Sequence, residues 1–188
     1  MKYLITGLGN PGQEYENTRH NIGFKILDAL ADASNIVFSD KRYGYVAEYK
    51  FKGRIFILLK PTTYMNLSGR AVNYWLQKEK IPYENLLVLT DDLALPFGTL
   101  RIRAKGGDAG HNGLKDIQNT TGRNDYARLR FGIGDDFKRG QQIDFVLNEW
   151  SKEEVLELPE KIDVCIQIIK SFGTIGITRT MNQFNKRK

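Results

Sequence analysis

Apolar and polar positions along the chain fall into short stretches that switch between two periods. Tyr3 to Leu8 is an apolar run stopped by Gly9-Asn10-Pro11-Gly12, the pattern of a buried strand entering a tight turn. Ile22, Ile26, Leu27, Leu30 and Ala31 then recur at helical spacing and define one apolar face. Tyr43 to Phe51 and Arg54 to Lys60 read as a hairpin turning at Lys52-Gly53. Leu67 to Lys80 reads as a helix, with Pro82 beyond its end. Leu86 to Leu89 is a second fully apolar strand, and Asp91-Asp92 follows at its carboxyl end. Leu100 to Ala104, Leu129 to Ile133 and Gln142 to Leu147 read as further strands. Leu114 to Thr120 starts a helix, and two more fill Lys152 to Phe172 and Gly176 to Phe184. Such alternation predicts the α/β class: one three-layer α/β/α domain over residues 1–188, built on a twisted, mixed, largely parallel sheet. In such sheets ligands gather beyond the carboxyl ends of the strands, where Asn10 and Asp91 both fall.

Composition narrows the setting. No apolar run approaches the roughly 20 residues of a membrane-spanning helix, and Met1-Lys2-Tyr3 leads straight into a strand rather than a signal-peptide pattern. Cys165 is the one cysteine; it lies among Ile162, Ile166 and Ile169 at helical spacing, as a buried core thiol would. An intrachain disulfide is therefore excluded, and a reducing, cytoplasmic setting is expected. The formal net charge of +6 is spread over clusters such as Arg101 to Lys105, Arg128 to Arg130, Lys138-Arg139 and Lys186 to Lys188. It is compatible with an ordinary solvated surface or with a polyanionic partner, and charge alone does not choose.

The motifs exclude more than they assign. Gly7-Leu8-Gly9-Asn10-Pro11-Gly12 matches G-x-G-x-x-G after a strand, the signature of a dinucleotide site. The context fails, because Pro11 has no amide hydrogen to offer a pyrophosphate, and Asp32, the acid at the right spacing, lies in a helical pattern. His20 and His111 are the only histidines, far apart and without a partner cysteine, a poor start for zinc. The G-x-S-x-G elbow of serine hydrolases is absent. An acid–base site remains. A histidine of ordinary pKa near 6.5 can take a proton from water, and a neighbouring carboxylate fixes its tautomer. Asp91 is the better placed of the adjacent acids, although spacing does not separate it from Asp92. Asn10, Asn66 and Asn112 flank turn-like or glycine-bearing segments, and their amides can donate to a developing oxyanion.

Together these segments resemble the bacterial-type peptidyl-tRNA hydrolase family over essentially the whole chain. The resemblance is carried by Gly7 to Gly12, by Tyr15 with Asn17-Thr18-Arg19-His20-Asn21-Ile22-Gly23, and by Lys60-Pro61-Thr62-Thr63-Tyr64-Met65-Asn66-Leu67-Ser68-Gly69. Asp91-Asp92-Leu93 with Pro96, Gly110-His111-Asn112-Gly113-Leu114-Lys115, and Arg128-Leu129-Arg130 with Gly132-Ile133-Gly134 complete it. It implies a monomeric enzyme, without cofactor or metal, that cleaves the ester between a peptide and the terminal ribose of tRNA. Carried over, His20 is the base that activates water and Asp91 the acid that holds it. Asn10 helps tell a blocked α-amino group from a free one. Tyr15, Tyr64, Asn66 and Asn112 touch the substrate and the tRNA end, Met65 lines the peptide side, and Arg103 and Arg130 face phosphates. Two positions depart from the family pattern: Ala109 stands where glycine is usual, and Asp92 where glutamate is common. A non-catalytic RNA-binding protein on the same scaffold is the rival reading, and the complete set of polar residues argues against it.

Overall fold

The computed structural model describes residues 1–185; the basic cluster Lys186 to Lys188 lies outside the described residues. The apolar runs become strands β1 (Lys2–Gly7), β3 (Gly44–Phe51), β4 (Arg54–Pro61), β5 (Leu86–Asp92), β6 (Leu100–Arg103) and β7 (Ala127–Gly132), with a short exposed edge strand β2 (Ser39–Lys41). The helices are α1 (Ile22–Ala33), α2 (Ser68–Lys78), α3 (Asn112–Thr121), α4 (Gln142–Leu147), α5 (Lys152–Ile175) and α6 (Ile177–Phe184). The strands form one seven-stranded sheet in the order β2-β3-β4-β1-β5-β7-β6. Its centre is parallel, through the pairs β1–β4, β1–β5 and β5–β7, while β3 and β6 run the opposite way.

Burial on both faces explains the unbroken apolar runs of β1 and β5. On one face Ile22, Ile26 and Leu30 of α1, with Ile162, Cys165 and Ile169 of α5, pack against Ile5, Leu58, Leu87 and Leu129. On the other, Val72, Trp75 and Leu76 of α2, with Leu114 and Ile117 of α3, cover Leu4, Leu59 and Val88. Cys165 is a buried free thiol in the first of these layers. The result is the three-layer α/β arrangement expected. After β1 the chain passes to β3 and β4 on one side, then crosses to β5 on the other, so a crevice opens beyond the carboxyl ends of β1 and β5.

One element differs from expectation. Gln142 to Leu147 is helix α4, not a strand. A six-residue run with Ile143, Phe145, Val146 and Leu147 satisfies neither period decisively. Tertiary contact settles it: Phe145 is buried beneath the Arg19 guanidinium, whose carbon lies 4.2 Å from its ring centroid. Asp91 and Asp92 also prove to be the last residues of β5, paired with Phe131 and Gly132, rather than the start of a loop.

The glycine motif has a packing role. A Cβ on Gly7 would sit 2.3 Å from Gly23 O, and one on Gly23 would sit 2.5 Å from Leu8 N, so α1 presses directly on β1. Between them the chain makes only short 3₁₀ turns, Gln13–Tyr15 and Arg19–Asn21, before α1 begins. No helix therefore opens at the motif to meet a pyrophosphate. Because the opposing atoms are backbone, Gly23→Ala is expected to cost at least about 1–3 kcal/mol, read as a lower urea midpoint at unchanged slope. A midpoint equal to that of the unmodified chain would show that the contact can relax.

Candidate active site

Three elements meet at the crevice. β5 delivers Asp91 on its last turn of pleat, the 3₁₀ turn before α1 delivers His20, and the glycine loop leading into α3 delivers His111. His20 Nδ1 lies 2.8 Å from Asp91 Oδ2, and His111 Nε2 lies 2.7 Å from Asp91 Oδ1. The second ring nitrogen of His111 caps α3, accepting from the Gly113 and Leu114 amides at 3.1 and 3.4 Å. These contacts assign the protons. His111 Nδ1 accepts and so bears no hydrogen, hence its Nε2–H donates to Asp91. The ionised carboxylate equally draws the His20 proton to Nδ1, which leaves the Nε2 lone pair without a protein partner among the described residues. His20 lines a cavity of about 740 Å³, so that lone pair has a route to substrate and water.

Electrostatics reinforce the arrangement. Burial works to raise the Asp91 pKa, yet the charges and hydrogen bonds of His20 and His111 reverse the effect and hold it well below the ordinary carboxylate range. Burial works to lower the His20 pKa, but the Asp91 charge and hydrogen bond outweigh it, and the value rises above 6.5. Between His20 and Asp91 the proton therefore resides on His20, where Asp91 steadies the imidazolium.

His20, Asp91 and His111 bring possible ligand atoms within 4.8 Å of one another. Tetrahedral zinc with bonds near 2.0–2.1 Å would hold its ligands about 3.3 Å apart. The nitrogens here touch the carboxylate directly, as hydrogen-bond partners do, and His111 Nδ1 turns toward its own helix.

Of the three candidate asparagines, Asn112 lines the cavity beside His20, whereas Asn10 and Asn66, like Tyr15, Tyr64 and Met65, lie outside its lining. Asn21, itself buried, grips the Asn10 backbone twice: Asn10 N donates to Asn21 Oδ1 and Asn21 Nδ2 donates to Asn10 O, each at 2.9 Å. Asn10 Oδ1 accepts from Met65 N at 2.7 Å. The Asn10 amide hydrogens remain as its free donors. Met65 is buried against Gly113, where an added Cβ would lie 2.8 Å from its sulfur, whereas Asn66 and Asn112 are exposed. Tyr64 is half exposed with a φ of 61° and ψ of 156°, a conformation L-residues seldom adopt. Tyr15 is partly buried in the turn preceding His20, its carbonyl accepting from Thr18.

The remaining candidates divide. Arg103 and Arg130 both line the main cavity, as does Lys105, which the sequence places only within a basic cluster. Arg103 is exposed, with no ion-pair partner among the described residues. Arg130 Nε instead pairs with Asp92, whose other oxygen accepts from Ala94 N at 2.8 Å. Ala109 has a φ of 52°, which accounts for a family preference for glycine there. Sequence reasoning left His111 without a role, because its link to Asp91 is purely spatial. It also passed over two buried arginines that fix the site. Arg19 donates to Phe145 O and Glu154 Oε1, tying the His20 turn to α4 and α5. Arg128 donates to Gly107 O and Asn124 O, holding the glycine loop on β7.

Comparison with known proteins identifies the family. The model of the family described as Peptidyl-tRNA hydrolase matches residues 4–188. A Phocaeicola vulgatus peptidyl-tRNA hydrolase is 65% identical over 187 residues, covering 100% of both chains. A Geotalea daltonii peptidyl-tRNA hydrolase is 40% identical, covering 98% of this chain and 96% of that protein. The crystal structure of peptidyl-tRNA hydrolase from Acinetobacter baumannii superposes with a TM-score of 0.91 at 36% identity, over 99% of this chain and 95% of that one.

The paired imidazoles give a direct test. Asp91→Asn removes the charge that raises the His20 pKa, so an NMR titration of the ring protons should show it falling. An unchanged His20 titration would mean that Asp91 does not govern the base.

Proposed function

The chain belongs to the peptidyl-tRNA hydrolase family, and we propose that it performs this ester hydrolysis with His20 as general base, without a metal. The observation that carries the reading is the His20–Asp91 pair, with Nε2 of the base left free toward a cavity. The substrate is peptidyl-tRNA, and its ester joins the peptide carboxyl to the terminal ribose.

In this reading His20 Nε2 takes a proton from water as the oxygen attacks the ester carbonyl carbon. Asp91 stabilises the imidazolium, and His111 keeps the carboxylate aimed by occupying its other oxygen. As the tetrahedral intermediate collapses, the imidazolium returns the proton to the departing ribose oxygen. The exposed amides of Asn66 and Asn112 are the donors for the oxyanion, Asn112 also standing at the positive end of α3. The free Asn10 amide contacts the first peptide carbonyl or blocked amine, the feature absent from a free aminoacyl-tRNA. Tyr15 and Tyr64 contact the tRNA end, Met65 shapes the peptide side from below, and Arg103 and Arg130 face phosphates. Residues 1–188 act as one domain and as a monomer in a reducing, cytoplasmic setting. A non-catalytic RNA binder would have no use for a base whose tautomer is fixed by Asp91 at Nδ1 and whose Nε2 is left free.

General-base catalysis contributes roughly 10²–10⁴-fold, so His20→Ala should lower kcat by about that factor while tRNA affinity stays within about twofold. Retention of kcat would remove His20 from the chemistry. Loss of one oxyanion donor costs about 2.7–4 kcal/mol; Asn66→Ala should reduce kcat/KM by a hundredfold or more on that scale, and unchanged kcat/KM would exclude it. Hydrolysis should survive a strong chelator, and inactivation reversed by added zinc would overturn the metal-free reading. Since only the neutral imidazole accepts a proton, kcat/KM should climb with pH through a His20 pKa above 6.5. A profile flat between pH 5 and about 8 would contradict it.

A further inference from the structure

Helix α2 begins without a cap of its own. Its N-cap position is Leu67, whose side chain has no acceptor, so the first amides of the helix need one from elsewhere. Asp116 of α3 supplies it: Gly69 N donates to Asp116 Oδ2 at 2.7 Å. The carboxylate thus caps a helix to which it does not belong, at the end where negative charge is favoured. The backbones also close at this point. A Cβ on Gly69 would lie 2.5 Å from Asp116 O and 2.6 Å from Thr120 Oγ1, so α2 and α3 touch with no side chain between them.

The contact stands one helical turn from the candidate oxyanion donors. Asn112 and Asp116 share a face of α3, and Asn66 lies in the 3₁₀ turn Met65–Leu67 that runs directly into α2. A second tether joins the same two segments on the other side of Asn66, where the Met65 sulfur packs on Gly113. Ser68 Oγ donates to Met65 O at 2.7 Å and closes the turn between the tethers. Neither Asn66 nor Asn112 has a side-chain hydrogen bond to another described residue, so each amide is placed only by the backbone that carries it. α3 is in turn registered on the base, because His111 caps it through Nδ1 and meets Asp91 through Nε2.

We propose that Asp116 is a positioning residue for the reaction: by capping α2 from α3 it fixes the separation of the Asn66 and Asn112 amides. The inference rests on the reading that those two amides meet the oxyanion. An interaction made only in the transition state acts on kcat and leaves KM in place. A misplacement of about 1 Å can cost about a hundredfold, so Asp116→Ala should lower kcat by about ten- to a hundredfold, with KM and the His20 NMR titration unmoved. Asp116→Asn, whose amide oxygen can still accept from Gly69, should restore kcat to within about threefold of the unmodified enzyme. Asp116→Glu keeps the charge at the helix end but adds a methylene. It should hold the urea midpoint and still lose kcat, which decides the question if the alanine variant does not fold. The further comparison is a double-mutant cycle with Asn66→Ala, in whose background the loss from Asp116→Ala should shrink to less than about threefold. A full, independent loss in that background overturns the proposal. So does a lowered urea midpoint with kcat intact, or an Asn variant as slow as the Ala variant. Unchanged kcat/KM in Asn66→Ala alone would instead defeat the reading of the oxyanion donors.

Discussion

A single buried carboxylate accepting two imidazole N–H groups organises this molecule. Asp91 sits on the last pleat of a strand buried on both faces, where an isolated negative charge would be strongly disfavoured. It stays ionised because His20 and His111 each donate to a different oxygen. The same two bonds fix both tautomers, and His111 spends its remaining nitrogen on the first amides of α3. Base, acid and helix start thus form one hydrogen-bonded unit. Displacing any member leaves a polar group buried without its partner, and the cost of that is what keeps the geometry narrow.

The sheet determines why this unit lies open to substrate. β1 is the central strand at which the connections change side, and its carboxyl end lies beside that of β5. The absence of side chains at Gly7 and Gly23 lets α1 approach β1 at backbone contact, which brings the turn holding His20 over the crevice. From there a chain of polar contacts runs from Asn21 to Asn10 to Met65, joining the turn before α1 to the turn after β1 and the turn before α2. Arg19 and Arg128 anchor the His20 turn and the glycine loop by donating to backbone carbonyls. Position in the site is therefore enforced by contacts outside the His20–Asp91–His111 unit.

Several features were legible from residues alone for a clear physical reason. Double-sided burial writes continuous apolar runs, so β1 and β5 announce themselves, and one-sided burial writes the 3.6-residue period of α1. Chain order then places Asn10 and Asp91 at strand ends. The order of several uncommon motifs carried the family assignment, which no single motif could. By contrast, the G-x-G-x-x-G match is ambiguous on its own, because glycine serves equally for phosphate approach and for helix packing; only the position of α1 distinguishes them.

By itself, then, the sequence determined the layering, the candidate base and acid, and the family, since all of these depend on local period or on motif order. The tertiary structure alone decided that His111 shares the carboxylate with His20, that Arg130 is partly committed to Asp92, and that Gln142 to Leu147 is helical beneath Arg19. Each of these is a contact between residues tens of positions apart. Pattern along a chain reports what a residue buries against its own element, whereas hydrogen bonds and ion pairs are set by distances that exist only once the sheet has brought the strand ends together.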